Sequence, residues 1–129
     1  MSLRSNELGQ PIGPAVDGWT ARPRPPRDPM EGRYCRVEPI DPARHAAELH
    51  DANCMDGEGR IWTYMGYGPY RTAAEYGAWL ISACLGDDPM FHAVVDKRTG
   101  RAVGVASYLR IEPAVGVIEI GRASCRERV

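Results

Sequence analysis

The sequence lacks most of the marks from which a function is usually read. No apolar run approaches the roughly 20 residues that span a bilayer, and the start, MSLRSNELGQ, has no signal-peptide core. No membrane role and a cytoplasmic location are therefore expected. There is no C-x-x-C pair among the four cysteines, Cys35, Cys54, Cys84 and Cys125, which argues for free, buried or half-buried thiols over a metal site. His45 and His50 stand five apart, which places them on different faces of a helix. Also missing are G-x-S-x-G, H-E-x-x-H and G-x-x-x-x-G-K-[ST], the signatures of common hydrolases, zinc proteases and P-loop enzymes. Surplus positive charge is absent too. The net charge is −1, and residues 121–129 alone contribute three Arg and one Glu, so the rest is mildly acidic. That balance argues against a nucleic-acid partner.

What is present fits one domain of 129 residues with a 43% hydrophobic content. Residues 1–32 hold most of the prolines and little regular pattern. RPRPPRDP either forms a polyproline ligand for an aromatic groove, or belongs to an arm lying along the domain, anchored by Leu8, Ile12, Val16 and Trp19. From residue 33 a compact pattern begins. In YCRVEPI, Tyr34, Arg36 and Glu38 alternate with Cys35 and Val37, which predicts a short half-buried strand. Asp41-Pro42 is an N-cap and first-turn proline, and it opens a helix over ARHAAELHDAN. Thr72 and Glu75 form a capping box for a second helix, with Tyr76, Trp79, Leu80 and Ala83 on one face and Gly86 as a left-handed stop.

FHAVVD and AVGVASYL then flank KRTGR, where Gly100 suits a bulged hairpin, and VGVIEI begins a third strand. The order β-α-α-β-β-β is an α+β pattern. Between the helices, GEGRIWTYMGYGPY sets Trp62, Tyr64, Tyr67 and Tyr70 among glycines. Such rings either wall a recognition pocket or cap the end of the core. Glu119, between Ile118 and Ile120, either faces a solvated cleft as a general base for a protonated amine or forms a structural ion pair.

Taken together, RYCRVEPIDPARHAAELHDAN, IWTYMGYGPY and FHAVVDKRTGRAVGVASYLRIEPAVGVIEIG resemble the N-terminal half of a GNAT-superfamily N-acetyltransferase of the RimJ/RimL type, over residues 33–121. D-x-x-T-G-R-x-V-G before a strand is part of that wording. The resemblance implies a GNAT-like α+β fold and transfer of acetyl from acetyl-CoA to a primary amine, a protein N-terminus being one candidate. It implies an acceptor site bordered by Trp62, Tyr64 and Tyr67, with Glu119 as the base. The family's phosphate-binding Q/R-x-x-G-x-G/A segment does not follow the strand at Gly121, where RASCRERV stands instead, so no residue here is assigned to the cofactor, and acetyl-CoA is not expected to bind this chain well. A non-catalytic binding module using the aromatic loop 61–70 is the alternative, and an inert structural fragment is a third reading.

The end of the chain carries a further expectation. IGRASCRERV is what ATC GGA AGA GCG TCG TGT AGG GAA AGA GTG encodes, and that string resembles a common sequencing-adapter strand. On this reading residues 33–120 are the first half of an acetyltransferase domain, and 121–129 are a non-native tail. The chain itself would be inactive. Val115, Val117, Ile118 and Ile120 would line an open strand edge that favours oligomers or aggregates.

Overall fold

The computed structural model describes residues 3–125, apart from the side chains of Arg122 and Cys125. Strands β1 (Arg4–Ser5) and β2 (Pro11–Ile12) pair in a small separate hairpin, and β3 (Met30–Glu31) leads into β4 (Cys35–Pro39). Helix α1 (Pro42–Cys54), a 3-10 turn (Arg60–Trp62) and helix α2 (Ala73–Ala83) follow. Then come β5 (Met90–Asp96), β6 (Arg101–Glu112) and β7 (Val117–Cys125). One antiparallel sheet runs β3-β4-β5-β6-β7, so the expected β-α-α-β-β-β order is the observed one, with β3 added at an edge.

Both predicted helix starts are built as their side chains dictate. The Asp41 carboxylate accepts from Ala43 N at 3.1 Å, and Thr72 Oγ1 accepts from Glu75 N at the same distance. Glu75 reaches one residue further than a capping box requires, accepting from Arg71 N at 3.0 Å. Gly86 is not the left-handed stop, since α2 is already closed by Cys84, whose amide donates to Leu80 O. Gly100 does take the predicted positive φ, at 71°.

The helices pack on one face of the sheet. A bulge at Val94/Val95 lets Ala102 and Val105 share that face with Phe91, Ala93 and Val95, forming the core with Leu49, Tyr76 and Leu80. The amide freed at the bulge, Ala102 N, donates to Glu48 of α1 at 2.7 Å. Register pairs Glu38 with Ala93 and Arg36 with Val95, so β4's polar face looks under α1 instead of into solvent. Glu38 is only 3% exposed, held by His45 Nε2 at 2.7 Å, Arg44 at 3.1 Å and Arg36. His45 Nδ1 accepts from Asp41 N at 3.0 Å, which leaves Nε2 as the protonated, donating nitrogen. Burial pushes the Glu38 carboxyl up, but the hydrogen bonds from His45 and Arg36 and the charges of Arg36 and Arg44 outweigh it, and its pKa ends below the ordinary value.

The N-terminal arm is tied to the opposite side of the domain. Trp19 Nε1 donates to Ala114 O at 2.8 Å, Arg22 N to Pro113 O, Arg24 to Asp87 O and Arg27 to Gly86 O. Further along, Met30 meets the Tyr108 hydroxyl. Of the four expected anchors only Trp19 is tied down; Leu8 and Ile12 of the separate hairpin, and Val16 beyond it, stay exposed. RPRPPRDP is thus engaged by its own domain through its arginines.

Pairing does not stop at Ile120. Gly121 pairs with Ser107 and Ser124 with Val105, because main-chain pairing tolerates almost any side chain. Val115 in the preceding turn and Val117, Ile118 and Ile120 of β7 are exposed. Arg126 and Arg128 of the basic tail lie outside the described residues. Among the described residues no helix is long and apolar enough to cross a membrane, and no group of three potential metal ligands converges.

Candidate functional site

A cleft of about 240 Å³ opens between the end of α1, the aromatic loop and the start of α2. Asn53, Asp56, Glu58, Trp62, Tyr70 and Tyr76 contribute to its lining. His50 and Cys54, one turn apart on α1, form another part of the wall, with the sulfur 3.6 Å from His50 Nε2. Cys54 is exposed where a buried or half-buried thiol was expected; Cys35 is half-buried and Cys84 buried.

The loop holds its shape through Trp62. This ring is 8% exposed and packs on the core, with Tyr70 edge-on at 5.8 Å and Tyr67 at 6.2 Å. Gly68, at φ 74°, lies so close that a Cβ there would stand 2.5 Å from the indole. Asp56 fixes the start of the loop by accepting from Ile61 N at 2.8 Å. The 3-10 turn was not legible in the sequence, since the glycines around it mask any period.

The three predicted loop residues separate in space. Trp62 both caps the core and lines the cleft, so the two sequence readings hold at once for that ring. Tyr67 stacks on Trp79 at 4.4 Å, outside the cleft lining. Tyr64 is 98% exposed and touches no part of the cleft. Its position between Thr63 and Met65, just past the 3-10 turn, sends it outward. Of the four rings of the loop, Trp62 and Tyr70 line the cleft, joined there by Tyr76 of α2. Burial raises the Tyr70 and Tyr76 hydroxyls above the ordinary value, with Cys84 adding to both, so each stays a neutral donor.

Glu119 sits elsewhere, on the outermost strand. It pairs in register with Leu109, and its half-exposed carboxylate lies 3.4 Å from Arg110 Nε. The kink that brings Arg110 there is built in. Arg110 adopts a positive φ of 48° at a second irregularity in β6, and the Asp88 carboxylate accepts from both Arg110 N and Ile111 N. Glu119 is therefore solvated and ion-paired, and it is not a wall of the cleft.

This curled antiparallel sheet with two helices on one face is a GNAT-like α+β fold. Two solved structures share it. One is a GCN5-related N-acetyltransferase from Brucella melitensis, with TM-score 0.82 and 40% identity over 86% of this chain and 50% of that one. The other is a probable acetyltransferase of the GNAT family from Chromobacterium violaceum, with TM-score 0.77 and 27% identity over 90% of this chain and 58% of that one. The chain thus spans about half the length of these two proteins. No protein-family model and no curated protein matches it.

Proposed function

We propose that this chain is the acceptor-binding part of an N-acetyltransferase that moves acetyl from acetyl-CoA to a primary amine, in a protein of RimJ/RimL type. The observation that carries the reading is the 40% identity at TM-score 0.82 to a GCN5-related N-acetyltransferase across nearly the whole chain. The acceptor would be a primary amine, a protein N-terminus being one candidate. Glu119 would take the ammonium proton, directly or through water, from its solvated place on β7. Acetyl-CoA, when bound, supplies an activated thioester. β7 ends the described sheet, and its outer backbone groups suit the amide-rich pantetheine arm by strand addition. The two strings of Q/R-x-x-G-x-G/A form in this sequence, 10–15 and 101–106, lie in the N-terminal arm and inside β6, and neither opens a helix that could cradle the phosphates of acetyl-CoA, so the chain by itself is expected to hold the cofactor weakly and to be inactive.

The test is a chimera joining residues up to Ile120 to the remaining half of the Brucella protein, assayed for amine-dependent thiol release. Acetylation of amines is expected, with Glu119→Gln lowering kcat/KM by about 10²-fold or more. A folded chimera that binds acetyl-CoA, holds amines in the cleft and transfers to none would instead favour a binding module built on the aromatic loop 61–70.

A further inference from the structure

His92 stands on the side of the sheet away from the helices. Its strand neighbours Phe91 and Ala93 face the core, so its own ring points the other way, yet it is only 2% exposed. The cover on that side is the Tyr108 ring, edge-on at 5.5 Å, and the N-terminal arm. Met30 of the arm meets the Tyr108 hydroxyl, and Arg27 brings its charge near His92. The imidazole hydrogen-bonds the main chain of Met90, and its Nε2 is sealed from solvent with no partner. A neutral ring tolerates this, because Nε2 is then only an unused acceptor. A proton there would be a buried charge and a donor without an acceptor, beside a guanidinium. The arm that makes the cover is lightly held. Between positions 13 and 29 only Pro25 is even half-buried. Trp19, Arg22, Arg24 and Arg27 hold on by hydrogen bonds to main-chain carbonyls of Ala114, Pro113, Asp87 and Gly86.

We infer that the arm is a proton-released strap: protonation of His92 lifts residues 19–29 from the sheet, while the core under the helices stays folded. The groups that face His92 are Arg27 of the arm, Asp87 behind it on the α2–β5 segment, and Tyr108 of β6. β4 brings only Pro39, in register. Arginine and tyrosine side chains titrate far above neutrality. The hydrogen bond from Arg27, and then its charge, hold the Asp87 carboxyl below the ordinary value, so Asp87 is not the group that changes near neutral pH. For His92, burial first and then Arg27 disfavour the charged ring. Its contribution to docking is therefore full above pH 6.5 and drains away as pH falls toward the docked value. Release frees the turn at 113–116, which leads into β7 and Glu119. The switch needs no acetyl transfer.

Nuclear magnetic resonance of the whole chain from about pH 8 to about pH 5 tests it, following the His92 ring and the Trp19, Trp62 and Trp79 indoles. The Trp19 indole is expected to lose its hydrogen-bonded shift with the same midpoint as the His92 ring, below pH 6.5. The undocked fraction should rise about threefold or more over that range, while Trp62 and Trp79 stay unchanged. His92→Phe keeps a buried ring that cannot take the proton, and should hold the arm down throughout. His92→Gln, smaller and also neutral, should do the same if the phenyl ring does not fit. A flat Trp19 profile in the parent, a profile that both substitutions leave unchanged, or movement of Trp62 and Trp79 together with Trp19 would each overturn the inference. Failure of the chimera to acetylate amines would not touch it.

Discussion

Removing the Glu38 carboxylate should cost the fold more than any other single surface-to-core change on this sheet. Glu38→Ala leaves His45 and Arg36 facing an apolar space at the sheet–helix contact, and it unfastens the first turn of α1 from β4. Breaking a buried ion pair typically costs about 3–5 kcal/mol. The lower end applies here, about 3 kcal/mol, because the Arg36 and Arg44 side chains are 35% and 60% exposed and rehydrate when released. For a domain of this length that is a fall in Tm of about 10–15 °C. Glu38→Gln keeps the shape and loses the charge, and should cost about 1.5–2 kcal/mol.

The pH dependence provides the sharper check. Glu38 is held below its ordinary value of 4.5, so its contribution is complete above that pH and is lost as pH falls through the native value. Urea melts of parent and Glu38→Gln should therefore differ by a constant amount from about pH 6 to 7.5 and converge below pH 4.5. A Glu38→Ala variant within 1 kcal/mol of the parent, or a gap that widens in acid, would refute the anchoring argument.

Other predictions follow from single contacts. Gly68→Ala must leave a left-handed φ and drive a Cβ into Trp62, so its indole emission should shift to the red as the ring loses burial, with a stability loss of about 1–3 kcal/mol. His92 is buried beneath the arm against Tyr108, and burial first, then the charge of Arg27, lowers its pKa below 6.5. Its neutral form thus stabilises fully above pH 6.5, and stability drains away as pH falls from there toward the native value; His92→Gln should flatten that part of the profile. Gly116→Ala would place a Cβ 2.5 Å from the Trp19 ring, so limited proteolysis should cut ahead of Met30 faster in this variant than in the parent.

Local chemistry was the legible part of this chain. Asp41-Pro42, Thr72 with Glu75 and Gly100 each act within a few residues, and each does in the fold what its neighbours in sequence imply. The aromatic loop was recognisable as a loop of large rings, yet which ring faces the cleft depends on Gly68 and on Trp79 of another element. Glu38 was hidden for a related reason. Its alternation with Val37 reads as an outward polar face, and only the register with Ala93 and the approach of His45 turn that face inward. The bulges at Val94/Val95 and Leu109/Glu112 likewise have no local signature, since the side chains that complete them, Glu48 and Asp88, come from distant segments.

The anchor of the arm has a consequence for the order in which the chain matures. Trp19 leaves the ribosome early, but the carbonyl it holds belongs to Ala114, 95 positions later. Until the β6–β7 turn has been synthesised, the prolines and arginines ahead of residue 30 have no turn to settle on. Closing so long a loop is entropically slow, and it pays only after the sheet has formed. A segment made before the sheet is then among the last to find its place, and it reports on whether the far end of the sheet is in order.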